Sequence, residues 1–82
     1  YTTERAAASA TGAGEAIARY GLARRVVDAV EAGDDPQTAA ERTIRGFGAE
    51  TDEEAGVIVV DDGGRTGSAF NSHGMQTAVR ER

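Results

Sequence analysis

The four-residue run Val57-Ile58-Val59-Val60 limits the folds open to this chain more than any other feature. It is bounded by Gly56 and by Asp61-Asp62-Gly63-Gly64, so it is too short for a helix and reads as a strand. A strand with no polar residue in alternation predicts burial on both faces. Covering two faces needs large apolar side chains, and they are scarce. Only 39% of the 82 residues are apolar, with two Phe, two Tyr and no Trp. A chain of this size buries a modest share of its surface. The expectation is either a weakly stable small domain or a piece of a larger fold whose core is completed elsewhere, and the apolar strand favours the second.

Around that strand the chain reads as an α+β arrangement. Residues 5–10, Arg-Ala-Ala-Ala-Ser-Ala, predict a short strand of small side chains ended by a glycine turn at 12–14. Residues 15–32 predict one helix, because Ala16, Tyr20, Ala23, Val27 and Val30 recur at spacings of four and three. Gly21 falls inside that helix, at a cost of about 1 kcal/mol relative to Ala. Close approach of a neighbouring element would explain it, and Gly33 would end the helix. Asp35-Pro36 opens a second helix, Asp35 as N-cap and Pro36 in the first turn. Its buried side would carry Ala39, Ala40, Thr43, Ile44 and Phe47, and Gly46 and Gly48 would mark its end. The short connection predicts two antiparallel helices. Glu50 to Glu54 reads as an acidic loop. Val57–Val60 and Thr66–Phe70 then form a hairpin around Asp62-Gly63-Gly64. Residues 71–82 read as a loop followed by a polar, helical end. The three strands can share one sheet with both helices on one face.

The stretch Ser9-Ala10-Thr11-Gly12-Ala13-Gly14-Glu15 carries the chemistry. A strand that turns through glycines into a helix exposes N–H groups with no partner inside the helix. The peptide dipoles add positive potential there. Gly12 and Gly14 leave the backbone open to a ligand oxygen, and Thr11 adds a hydroxyl. Three readings fit. One is a tight turn with Thr11 as a cap. Another is a dinucleotide phosphate loop, against which stand Ile17 at the third small-residue position and a second helix where a parallel strand is required. The third is an oxyanion or carboxylate site of a hydrolase.

Two motifs give a family resemblance. Ser9, Thr11, Gly12, Gly14, Glu15 and Arg19 match S-x-T-G-x-G-E with an Arg five residues after the second glycine. Gly56, Ile58, Asp61, Gly64, Phe70, Asn71, Ser72, Gly74 and Met75 match G-x-I-x-x-D-x-x-G followed by F-N-[ST]-x-G-M. The chain resembles the C-terminal part of the beta subunit of plant-type L-asparaginases and isoaspartyl peptidases, which are N-terminal-nucleophile (Ntn) hydrolases. The resemblance implies part of a four-layer αββα sandwich, with residues 1–82 a single segment of such a subunit. It implies hydrolysis of L-asparagine or β-aspartyl peptides through a threonine nucleophile. It places the oxyanion hole on the Thr11 hydroxyl and the Gly12 N–H. The Gly14 N–H would hold the substrate α-carboxylate, and the Gly12 carbonyl its α-amino group. The family's nucleophile segment and its substrate-clamping Arg and Asp lie upstream of these motifs and are absent from this sequence. So is the alpha subunit with its metal-binding loop. The partners expected are the N-terminal part of the beta subunit, the alpha subunit, and further copies of the parent protein. The segment alone is expected to be inactive. Thr2 and Thr3 lie too close to Thr11 to fill the nucleophile's place. A glycosylasparaginase-type hydrolase is an alternative, although that group tends to carry Asp where Glu15 stands. A freestanding anion-binding module is another.

Composition narrows the remaining classes. The net charge is −5, and all nine basic residues are Arg, with no basic stripe to replace phosphate counterions; neither nucleic acid nor an anionic membrane is an expected partner. There are no cysteines and one histidine, His73, so thiolate and multi-histidine metal chemistry have no residues to use. No cofactor or metal is expected. His73 reads as an exposed loop residue, and Asp61-Asp62 as turn residues rather than cation ligands. Glu15 reads as a helix-start residue paired with Arg19. Without a signal sequence or an apolar run of membrane-spanning length, a cytoplasmic location is expected. Tyr1 in place of Met suggests that something upstream has been removed.

Overall fold

A computed structural model describes residues 1–71. The elements run β1 (Ala6–Gly12), α1 (Gly14–Tyr20), α2 (Leu22–Glu31), α3 (Pro36–Thr51), β2 (Ala55–Asp61) and β3 (Thr66–Asn71). The predicted helical tail, His73 and the motif residues Ser72, Gly74 and Met75 lie outside the described residues.

The strands form one antiparallel sheet in the order β1-β2-β3. Ala8 pairs with Val59 and Thr11 with Gly56, while Val57 pairs with Ala69 and Gly56 with Phe70. Because side chains alternate along a strand, this register sends Ala6, Ala8, Val57, Val59 and Ala69 to one face. There they meet Leu22, Val26 and Val27 of α2 and Ala39, Ala40, Ile44 and Phe47 of α3, which make one continuous core. Removing each Val, Leu, Ile or Phe of this set from water contributes about 1.5–3 kcal/mol. The small side chains of β1 are thus explained by the close seat of α2 on that strand. Predicted and observed order agree, and the helices share one face of the sheet.

Three expectations are corrected. The first concerns the apolar strand. Within the described residues β2 is covered on one face only; Ile58 is 64% exposed, Val60 40% and Phe70 of β3 49%. All the described helices lie on the other side, so burial on both faces does not occur among the described residues.

The second concerns the long helix. Residues 15–32 are two helices, because Gly21 takes the left-handed conformation at φ 71°, ψ 45°. Its N–H closes α1 on the carbonyls of Ile17 and Ala18, and its own carbonyl accepts from Arg25 to start α2. A Cβ there would meet none of the described residues within 4 Å, so among them the glycine answers to its backbone conformation and not to close packing. The apolar stripe survives the break, with Ala16, Tyr20, Ala23 and Val30 all packed against the core.

The third concerns the end of the second helix. Gly46 and Gly48 lie inside α3, which runs on to Thr51 and is closed by Asp52 at φ 59°. These two glycines are the close-packed ones: a Cβ at Gly46 would lie 2.7 Å from the Tyr20 hydroxyl, and one at Gly48 2.8 Å from Asn71 Nδ2. Glu50 and Thr51 therefore belong to the helix, and the acidic loop shrinks to residues 52–54.

Local signals elsewhere worked as read. The Asp35 carboxylate accepts from the Thr38 N–H at 3.1 Å and from its hydroxyl at 2.7 Å. Those bonds, the hydroxyl's first, hold the Asp35 carboxyl below its ordinary value. Asp61 organises the hairpin turn. It accepts from the N–H groups of Gly63 and Arg65 and from Arg65 Nε, at 2.8–3.0 Å.

Candidate active site

Thr11 and Gly12 are the last two residues of β1, and Gly14 is the first of α1. The register puts the Thr11 side chain on the open face of the sheet, opposite Gly56. There it lines a shallow hollow of about 240 Å³ with Ser9, Gly56, Ile58, Ser68 and Phe70. Gly12, Ala13, Glu53 and Glu54 border a second, open hollow at the end of β1. The turn therefore lies where the uncovered face meets the outer edge of the sheet.

The backbone alternation decides where the Gly12 N–H points. In an antiparallel ladder successive residues direct their N–H groups to opposite sides of the strand. Ala13 N–H bonds to the Glu54 carbonyl at 3.1 Å, on the β2 side. Ala8 N–H instead bonds outward to the Tyr1 carbonyl at 2.9 Å. Gly12 shares the parity of Ala8, so its N–H lies on the outer edge of β1, away from β2. Among the described residues no turn, loop or side-chain bond uses it.

Glycine at 12 also answers to a packing demand. Its φ is +129°, and a Cβ would meet the Glu54 carbonyl oxygen at 2.5 Å and Ala55 Cα at 2.8 Å. The protein's own backbone, on the loop before β2, demands the absence of a side chain. At Gly14, by contrast, no described residue lies within 4 Å of an added Cβ.

The helix start is also weaker than a single long helix would make it. α1 has seven residues, and Ala13 caps it without a side-chain bond. A macrodipole over so short a helix is small, and Glu15 in its first turn carries a negative charge. The chemistry available is that of individual N–H groups and the Thr11 hydroxyl. Glu15 pairs with Arg19 at 3.0 Å, fully on the surface, as its spacing implied.

Two contributors escaped the sequence. The Glu54 carbonyl fixes the turn from the loop side, and the Asn71 side chain in turn holds that loop. Asn71 Oδ1 accepts from Ala55 N–H at 2.9 Å, and Nδ2 donates to the Glu53 carbonyl at 2.8 Å. Both are long-range contacts of backbone atoms, which carry no residue signature; only the position of Asn71 in the second motif marked it.

Asp61 lies at the opposite end of β2. Burial alone would raise its carboxyl, but the bonds from Arg65 and Gly63 outweigh that and hold it below the ordinary value. It is a turn residue, and among the described residues no group of three or more His, Asp or Glu side chains could hold a metal ion. No helix of the described residues is long and apolar enough to cross a membrane.

A sequence model of the family described as "Asparaginase" matches residues 1–82, the whole chain. The plant-type L-asparaginases of Pyrococcus furiosus and Thermococcus kodakarensis are each 40% identical to it over 82 residues, covering 95% of this chain. That of Pyrococcus abyssi is 39% identical over the same share. The chain spans 26% of the length of each of these relatives. With both motifs in place and a family match from end to end, this chain belongs to the asparaginase family.

Proposed function

We propose that this chain supplies the oxyanion-binding edge and part of the substrate site of an amide hydrolase acting on L-asparagine or a β-aspartyl peptide. The nucleophile is an N-terminal threonine carried upstream of residues 1–82. Its attack on the amide carbonyl makes a tetrahedral intermediate, and the negative oxygen is received by the Thr11 hydroxyl and the Gly12 N–H. The Gly14 N–H, beside an unobstructed Cα, receives the substrate α-carboxylate. The Gly12 carbonyl faces the α-amino group. The fold is then part of a four-layer αββα sandwich, whose second sheet covers Ile58, Val60 and Phe70, and the segment alone is inactive.

The observation that carries this reading is the orientation of the Gly12 N–H. A donor at the end of a strand, turned away from its ladder partner, next to a hydroxyl and engaged by no described residue, suits an oxygen that appears only during reaction. The seven-residue α1 speaks against a freestanding anion module, which would lean on the helix dipole. The test is Thr11→Val in the full-length protein carrying this sequence, assayed on L-asparagine and on a β-aspartyl dipeptide. Loss of one oxyanion donor lowers kcat by about 10²–10³-fold with KM little changed. A kcat equal to that of the parent rejects the assignment.

A further inference from the structure

We propose that Asn71 is a positioning residue for the oxyanion turn, acting through the Glu54 peptide. The proposal rests on the reading above, in which the Gly12 N–H receives the acyl oxygen. The chain of contacts is short. Asn71 closes two bonds at the end of β3, accepting from Ala55 N–H at 2.9 Å and donating to the Glu53 carbonyl at 2.8 Å. The two bonds bracket Glu54. The Glu54 carbonyl accepts from Ala13 N–H at 3.1 Å, and it is the atom that a Cβ on Gly12 would meet at 2.5 Å. Gly12 is therefore pressed against the Glu54–Ala55 peptide unit, whose own N–H is tied to Asn71, as is the carbonyl of the unit before it. A shift of Glu54 moves the Gly12 Cα and the Gly12–Ala13 peptide, and through them the adjoining Gly12 N–H.

The chemistry selects an amide here. Ala55 N–H can only donate and the Glu53 carbonyl can only accept, so the side chain must offer one acceptor and one donor. Asparagine does so in one orientation. Aspartate keeps the acceptor but sets a second negative oxygen against the Glu53 carbonyl. Alanine loses both. The fit is tight from behind as well, since a Cβ at Gly48 of α3 would lie 2.8 Å from Asn71 Nδ2. The amide is wedged between α3 and the loop and has little room to turn.

An oxyanion donor acts in the transition state, so a small displacement lowers kcat more than it raises KM. The experiment compares Asn71→Asp, Gly48→Ala and Thr11→Val in the full-length protein, with L-asparagine as substrate and thermal unfolding recorded alongside. Asn71→Asp is expected to lower kcat at least tenfold per folded molecule at neutral pH, with KM within about threefold of the parent. Its deficit narrows as pH falls toward about 4, because a protonated carboxyl regains one donor and one acceptor. Should Asn71→Asp fail to fold, Gly48→Ala keeps the amide but crowds Nδ2, and it is expected to lower kcat several-fold with KM near that of the parent.

Parent kcat in the folded Asn71→Asp variant, or in Gly48→Ala, with only a lower melting temperature, overturns the proposal, since a purely structural residue would behave so. Thr11→Val separates the two levels. If it lowers kcat while Asn71→Asp does not, the positioning role fails and the site stands. If Thr11→Val itself leaves kcat intact, the site assignment fails first.

Discussion

Gly67 of β3 lies directly against Pro36 at the start of α3: a methyl group on Gly67 would sit 2.4 Å from the Pro36 carbonyl carbon and 2.5 Å from the Gln37 nitrogen. The contact is backbone against backbone, and neither side can swing aside. Gln37 locks it by accepting from Ser68 N–H at 3.0 Å and donating to the Ser68 carbonyl at 2.9 Å. The sheet edge and the helix start are thus joined by a seam that needs no large side chain.

Gly67→Ala should destabilise the fold by about 1–3 kcal/mol, the range for overpacking a closed contact. Urea unfolding followed by circular dichroism measures it. A change within about 0.5 kcal/mol of zero, the range of ordinary surface substitutions, would show that the seam is loose.

Gly21 gives a prediction whose sign separates two structures. In a continuous helix Gly21→Ala would stabilise by about 1 kcal/mol. At a left-handed junction it should destabilise by about 1–2 kcal/mol, because Cβ crowds the following carbonyl. Gly21→Asn should cost less than Gly21→Ala, since Asn enters this conformation more readily. The order of the three melting temperatures decides between them.

Asp61 links stability to acid. Its carboxyl titrates lower in the folded chain than the ordinary value of 3.8. A depressed folded value means that the carboxylate contributes stability above the unfolded value, and that the contribution drains away as pH falls through the folded one. Asp61→Asn should therefore lower stability at neutral pH, with the gap from the parent closing below pH 3.8. A constant gap across that window, in melts run from pH 7 downward, would separate the turn from this titration.

The open face of the sheet predicts association. Ile58, Val60 and Phe70 place three exposed apolar side chains on neighbouring strands. In the 82-residue chain the combined Ile58→Thr, Val60→Thr and Phe70→Thr substitutions should shift sedimentation toward monomer. Melting should change little, because none of the three packs into the helix-covered core. Equal self-association in both proteins would move the sticky surface elsewhere.

Element order was legible because its signals are local. Asp35-Pro36 announced α3, Asp61 to Gly64 announced the hairpin turn, and the run at Val57–Val60 announced β2. Glycine was the blind spot. Gly21, Gly46 and Gly48 look alike in sequence, yet the first breaks a helix and the others sit inside one against Tyr20 and Asn71. Periodicity could not separate them, since the apolar stripe runs through Gly21 without a phase change. At the candidate site the sequence singled out Thr11, Gly12 and Gly14 but not the packing demand at Gly12. Its neighbour is a main-chain oxygen of Glu54, and main-chain atoms are the same for every residue type.

That crowding at Gly12 also decides where variation can enter the turn. Position 12 is closed to side chains by the Glu54 carbonyl, whereas at position 14 no described residue lies within 4 Å of an added Cβ. A mutational scan should find no tolerated replacement at 12 and several at 14 as far as folding goes. Variation in the turn would then enter through residue 14 and the exposed side chain of Thr11, around a fixed pivot.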